Sequence, residues 1–369
     1  MRSAGIFEIP HLRPLGRFHE ELARRAGVLP LFWSGSGLEL AFTGRSLRLT
    51  LEADYQFMEP WVSVSVNGAP LIRTPLARGR QELCLFQGMS EGPLKRVRVL
   101  KETQSMPEDP ACRVELEGLR WEGGEFLALP EPACRLEFIG DSLTSAEGAA
   151  GAREETDWTG AIFSASRGWA WQTADLLGGE CRIVSQSGWG LRSGWDNNPH
   201  HALPEFYGQV CGTAPGGRAL GALEPYDFAS WRPDAVLVNL GTNDAGAMNN
   251  PPWWDMAGRR FQQTWQELDL LEEAAVSFLK LLHEKNPGAA LVWAYGMLGD
   301  SLRACLEGAV ARFRREAGAA AAWYLPLPAV SEATMGARMH PGPLCHRQVA
   351  ETAADFLRNR LPAKFPCVR

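Results

Sequence analysis

Four short blocks of the chain carry residue types that acyl transfer needs. The first is Phe138-Ile139-Gly140-Asp141-Ser142-Leu143-Thr144, an apolar run that ends in Gly-Asp-Ser. In open parallel sheets, ligands bind beyond the carboxyl ends of the strands. A hydroxyl in the turn after such a strand faces that crevice, and glycine lets the backbone turn sharply enough to aim it. Ser142 is therefore the candidate nucleophile. The second block, Leu240-Gly241-Thr242-Asn243-Asp244, again follows an apolar run, and Asn243 offers a side-chain amide N–H. The third, Ser187-Gly188-Trp189-Gly190, exposes a bare main-chain N–H at Gly188. The fourth, Met339-His340-Pro341, puts an imidazole in a late loop, with His346 a few residues on. Each block alone has a plain structural reading: a turn, an Asn or Asp cap, a glycine corner, a surface or capping histidine. Together they supply a nucleophile, a base and oxyanion donors. Ser142 and His340 are the candidate catalytic pair. The Ser142 and Gly188 main-chain N–H groups and the Asn243 amide are the candidate oxyanion hole. Asp141 and Asp244 are read as braces of their turns, a reading no better than simple caps.

Two textures of sequence surround these blocks. Residues 1 to about 128 hold short alternating runs, among them Leu38-Glu39-Leu40-Ala41-Phe42, Leu47-Arg48-Leu49-Thr50-Leu51, Val62-Ser63-Val64-Ser65-Val66 and Val97-Arg98-Val99-Leu100. A period of two marks half-buried strands, and Asn67-Gly68 after the third run signals a hairpin. A β-sandwich follows, with one helical interruption near His19 to Ala26. Pro130 and Pro132 mark an extended linker. Beyond it, strands alternate with helices. Arg135 to Ile139, Arg182 to Ser185, Ala235 to Leu240 and Ala290 to Tyr295 read as strands. Trp169 to Leu177, Phe261 to Glu284 and a final segment carrying Val349, Ala353, Phe356 and Leu357 read as helices. That order argues for a parallel sheet with helices on both faces. The division expected is 1–130 and 131–369.

The set Ser142, Gly188, Asn243 and His340, in that order, resembles the SGNH/GDSL hydrolases over roughly residues 133 to 361. Ser142 does not sit in a G-x-S-x-G elbow, so the common α/β-hydrolase type is not indicated. The whole-chain layout is similar to carbohydrate esterase family 2. The likeness extends to Gly16-Arg17, Phe32-Trp33-Ser34-Gly35-Ser36-Gly37, the Ser187–Gly190 block and His340-Pro341. The resemblance implies an N-terminal jelly-roll sandwich before an SGNH α/β domain. It also implies removal of O-acetyl groups from plant polysaccharides or their oligosaccharides, with no cofactor and no metal.

One position departs from the pattern. SGNH enzymes carry an Asp two or three residues before the base, where this chain has Arg338 and Ala337. Losing the acid of a serine-protease triad costs about 10⁴ in rate. A main-chain carbonyl holding the His340 Nδ1–H comes first among the explanations, because a Ser–His dyad of that kind belongs to the resembled family. A remote carboxylate such as Glu332, and an impaired enzyme, stay open beside it.

Composition narrows the partners. The net charge is −6 with no basic block, which gives no electrostatic reason for nucleic acid or an anionic membrane. No stretch approaches the ~18 apolar residues of a membrane span. Eight cysteines without a CxxC pair argue against a zinc site, and with no export-signal pattern they read as reduced thiols of a cytoplasmic protein. Tryptophan is abundant, at 14 residues. Trp189, Trp253 and Trp254 lie near the blocks and are the candidate sugar-binding residues, against an equal expectation of core packing. Other short-acyl ester or thioester hydrolysis, and carbohydrate binding without turnover, are the alternative functions.

Overall fold

The structure, a computed structural model, describes residues 1–318, 321–362 and 364–365. The seven described cysteines are free thiols; Cys367 lies outside the described residues. Contacts divide the chain into two units. The first holds Met1–Glu131 together with Trp158–Ser166 and Gln209–Tyr226; the second holds Pro132–Asp157, Arg167–Gly208 and Asp227–Arg369. Two excursions from the C-terminal part thus return to the first unit, which a single division after residue 130 does not contain. Specific bonds hold them. The Arg73 guanidinium lies over the Trp61 ring and donates to the carbonyls of Ala161 and Phe163 at 2.7 and 2.6 Å. The buried Trp33 indole donates to Val210 O at 2.7 Å. Neither excursion has apolar periodicity, so sequence pattern does not reveal it.

The first unit is two antiparallel sheets. One runs Arg2–Gly5, Arg113–Glu122, Ser46–Asp54, Gly79–Phe86; the other runs Phe126–Leu127, Gly37–Phe42, Lys95–Lys101, Trp61–Val66, Ala69–Pro75. The alternating runs put one side chain in two into a shared core that includes Leu38, Leu40 and Phe42 from one sheet and Leu47, Leu49 and Leu51 from the other. Asn67 and Gly68, both at positive φ (52° and 80°), make the tight turn between Trp61–Val66 and Ala69–Pro75. A helix at Glu20–Ala26 stands where the helical interruption is expected.

The second unit is a five-stranded parallel sheet. Its strands are β1 (Arg135–Gly140), β2 (Glu180–Ser185), β3 (Ala235–Asn239), β4 (Ala290–Tyr295) and β5 (Ala322–Pro326), in the order β2-β1-β3-β4-β5. Every residue of β2, β3 and β4 is buried; β3 and β4 accordingly read as near-continuous apolar runs, whereas β2 also buries Glu180 and Arg182. The helices are α1 (Trp169–Leu176), α2 (Thr242–Ala247), α3 (Leu268–Lys285), α4 (Arg303–Glu316) and α5 (Pro343–Arg360). Chain order runs from β1 outward to β2, then back across to β3, β4 and β5. Right-handed crossovers therefore put α1 on one face of the sheet and α3 and α4 on the other. The expected helix from Phe261 begins only at Leu268. Arg260–Phe261 pairs with Trp253–Trp254 in a small ribbon, and Gln263 is buried with its amide on Ser193 and Asp244. Tertiary hydrogen bonds thus take the backbone that periodicity alone would assign to α3.

The strand order reverses between β1 and β3, and the turns leaving β1, β2 and β3 carry Ser142, Gly188 and Asn243. This is the switch point at which doubly wound sheets bind their ligands.

Candidate active site

The turn after β1 is tight. Main-chain bonds from Thr144 and Ser145 N–H to Asp141 O (3.1 and 2.9 Å) and from Glu147 N–H to Ser142 O (3.0 Å) wind it around the candidate nucleophile. A Cβ on Gly140 would stand 2.2 Å from Thr144 Oγ1 and 2.7 Å from Asn239 O, so only glycine fits where β1 ends. Asp141 is fully buried and accepts the Leu143 N–H at 3.0 Å. Burial pushes its carboxyl up to about 8, and neighbouring Asp244 and Glu147 add to the rise against the Leu143 hydrogen bond. Asp244, equally buried, accepts from Leu191 N–H (2.8 Å), Arg192 N–H (2.9 Å) and the Gln263 amide (3.0 Å). It fastens the Gly188 loop to α2, and burial raises its carboxyl as well.

His340 reaches this turn from the far end of the chain. Its Nε2 lies 3.0 Å from Ser142 Oγ, and its Nδ1 lies 2.9 Å from the main-chain oxygen of Arg338. A carbonyl only accepts, so Nδ1 carries the hydrogen and Nε2 presents its lone pair to the serine. Arg338 and Met339 both adopt left-handed backbone (φ 53° and 56°), which folds the Arg338 carbonyl back onto the ring. Such non-glycine conformations cost about 1–3 kcal/mol each and persist only where surroundings impose them. Gly148 makes room for the result: at φ 81°, a Cβ there would stand 2.6 Å from His340 Cβ. Glu332 takes no part, since its side chain is 89% exposed and pairs with Arg153 at 3.2 Å. His346 is buried in the fold. Its Nδ1 accepts the Trp169 N–H at 3.2 Å and caps α1, and burial lowers its imidazole to about 3.

The oxyanion candidates converge on the same turn. Among the described residues, neither the Ser142 nor the Gly188 N–H meets an acceptor. Asn243 Nδ2 donates to Trp189 O at 2.8 Å and to Asp141 Oδ2 at 3.2 Å, which ties all three turns together.

The tryptophans divide differently from expectation. Trp189 is buried, stacked on His201 at 4.9 Å and packed on Phe206, so it offers no face to a sugar. Trp253 presents its ring to His200 at 5.5 Å, while Trp254 is 57% exposed on the ribbon. The exposed indole beside the site is Trp195, which sequence reasoning missed. It is 55% exposed, and a Cβ on Gly188 would sit 3.2 Å from its Cδ1. Glu147 was missed too. Its only signal is that it is a lone acid in the run of small residues after Ser142.

The sheet order and the gathering of Ser, Gly, Asn and His at its carboxyl edge define the SGNH/GDSL class of hydrolases. No family model matches the chain. It is similar in structure to an acetyl xylan esterase from Butyrivibrio proteoclasticus, with 37% identity over 98% of this chain and 100% of that one, and a TM-score of 0.93. The chain belongs to carbohydrate esterase family 2. In sequence it is 30% identical over 213 residues to the cellulase/esterase CelE of Acetivibrio thermocellus, covering 58% of this chain and 24% of that protein. It is also 24% identical over 283 residues to an acetylxylan esterase/glucomannan deacetylase of Cellvibrio japonicus, covering 70% and 66%. The chain thus spans about a quarter and two-thirds of these curated relatives.

Proposed function

We propose that this protein removes O-acetyl groups from xylan- or glucomannan-type polysaccharides or their oligosaccharides through an acetyl-enzyme on Ser142. The carrying observation is the 3.0 Å contact between Ser142 Oγ and the lone-pair nitrogen of His340, with the ring fixed from behind by Arg338 O. His340 Nε2 takes the serine proton as Oγ attacks the acetyl carbonyl. The Ser142 and Gly188 N–H groups and the Asn243 amide receive the oxyanion. The Asn243 bond to Asp141, the longer of its two, is the one exchanged. The imidazolium then protonates the departing sugar oxygen, and water repeats the cycle in reverse to release acetate. Asp141 is uncharged below about 8 and so puts no negative charge beside the oxyanion.

The dyad explains how the chain dispenses with the triad acid. The roughly 10⁴-fold loss on changing a triad Asp to Asn reflects a wrong imidazole tautomer. A main-chain carbonyl cannot donate, so it enforces the productive one. Trp195, exposed against the Gly188 turn, is the surface on which a sugar ring would stack. The acetylated glycan is taken from the names of the relatives. We also read the first unit as a jelly roll, because the chain passes from one sheet to the other at nearly every strand.

Acetate release from acetylated xylan and hydrolysis of a 4-nitrophenyl ester series test this. Acetate esters should be cleaved faster than octanoate, and Ser142→Ala and His340→Ala should each lose at least about 10³-fold. Faster octanoate cleavage would remove the short-acyl assignment. Binding of the acetylated glycan without turnover would remove the catalytic one.

A further inference from the structure

We infer that Glu147 is a positioning residue, which holds the His340-bearing turn through its ion pair with Arg338 and so does the orienting work of the missing acid. The inference rests on the dyad proposed above. The Glu147 side chain is buried, and its Oε1 lies 3.0 Å from Arg338 Nε. That N–H does not point at the oxygen, so the contact is one of charge rather than a directed hydrogen bond. The same oxygen lies 3.9 Å from His340 Nε2. Four contacts then close a ring. The Glu147 N–H donates to Ser142 O (3.0 Å), the Glu147 carboxylate pairs with the Arg338 side chain, His340 Nδ1–H donates to Arg338 O (2.9 Å), and Ser142 Oγ meets His340 Nε2 (3.0 Å).

The physical need is visible in the backbone. Two consecutive non-glycine residues at positive φ do not hold themselves. The Arg338 main chain is tied by its N–H to Glu155 O at 2.8 Å, and its guanidinium reaches Thr156 O at 3.4 Å. Among the described residues, Glu147 is the one whose side chain pairs the Arg338 side chain with the turn that carries the serine. Should the link loosen, the Arg338 carbonyl is free to turn from Nδ1 and the imidazole loses its fixed tautomer and direction. Misplacement of a catalytic group by about 1 Å costs up to ~100-fold in rate. The Glu147 side chain is buried and presents no surface to substrate, so the loss belongs in kcat and not in KM.

The test is steady-state hydrolysis of 4-nitrophenyl acetate and acetylated xylan by Glu147→Gln, Glu147→Ala, Arg338→Met, Arg338→Lys and the double variant E147Q/R338M. Ser142→Ala and Glu332→Ala accompany them, each checked by thermal melting. Glu147→Gln and Arg338→Met should each lower kcat about tenfold or more, with KM within about twofold. The double variant should be no worse than the worse single, because both break one contact. Arg338→Lys should recover part of the loss, and Glu332→Ala should keep full kcat. Glu147→Gln preserves shape, so it carries the test if Glu147→Ala folds poorly. Unchanged kcat in a folded Glu147→Gln, or additive losses in the double variant, would overturn the inference while a dead Ser142→Ala leaves the dyad standing. An active Ser142→Ala would instead overturn the dyad itself.

Discussion

Two acids at the site do opposite things because of where they lie. Glu147 faces a cation, whereas Asp141 is buried among hydrogen-bond donors with the Asp244 and Glu147 carboxyls nearby, and burial lifts it to about 8. Once Asp141 ionises, it binds the Asn243 amide more firmly and sets a negative charge next to the nascent oxyanion. Activity should therefore decline above about pH 8, approaching tenfold per unit, on the kcat/KM profile of the wild type. Asp141→Asn should flatten that decline while losing some activity at neutral pH, since one amide cannot match both partners of the carboxyl. A wild-type profile level to pH 10 would contradict this. At this scale the sequence reads well for residues that announce themselves by position after a strand: Ser142, Gly188 and Asn243. It reads poorly for Arg338, because its function resides in a main-chain oxygen and a backbone angle, which side-chain identity does not encode.

At the scale of elements, strand ends were legible because β3 and β4 are buried on both faces and read as near-continuous apolar runs. The start of α3 was not, because Gln263 and Phe261 answer to distant partners rather than to helical period. The seam between α1 and α5 makes a prediction of its own. His346 on α5 caps α1 in its neutral form, held near 3 by burial, with His340 adding to the fall. Unfolded, it titrates near 6.5. Between these values the folded protein binds fewer protons than the unfolded chain, so stability is full above about 6.5 and drains as pH falls toward 3. The loss amounts to several kcal/mol over the window. His346→Gln retains an acceptor for the Trp169 N–H without titrating. Its urea midpoint should change much less between pH 7 and pH 4 than that of the wild type, and equal slopes would refute the assignment.

The whole molecule is less separable than its linear order suggests. Residues 1–131 contain every strand of the two antiparallel sheets. They lack the acceptors that Arg73 and Trp33 use, on Ala161, Phe163 and Val210. Expressed alone, this fragment should leave a half-buried arginine and a buried indole without these acceptors, at about 1–3 kcal/mol each. It should give a poorly dispersed amide NMR spectrum, and a dispersed, cooperative fragment would show the excursions to be dispensable. The ribosome faces the same interdependence in time. Domains commonly fold as they emerge, the first before the second is made. Here the first unit stays incomplete until residue 226 has been delivered, by which point β1, β2, Ser142 and the Gly188 loop are already outside. The nascent chain must therefore keep a nearly finished sandwich open while two of the five strands of the parallel sheet wait for β3.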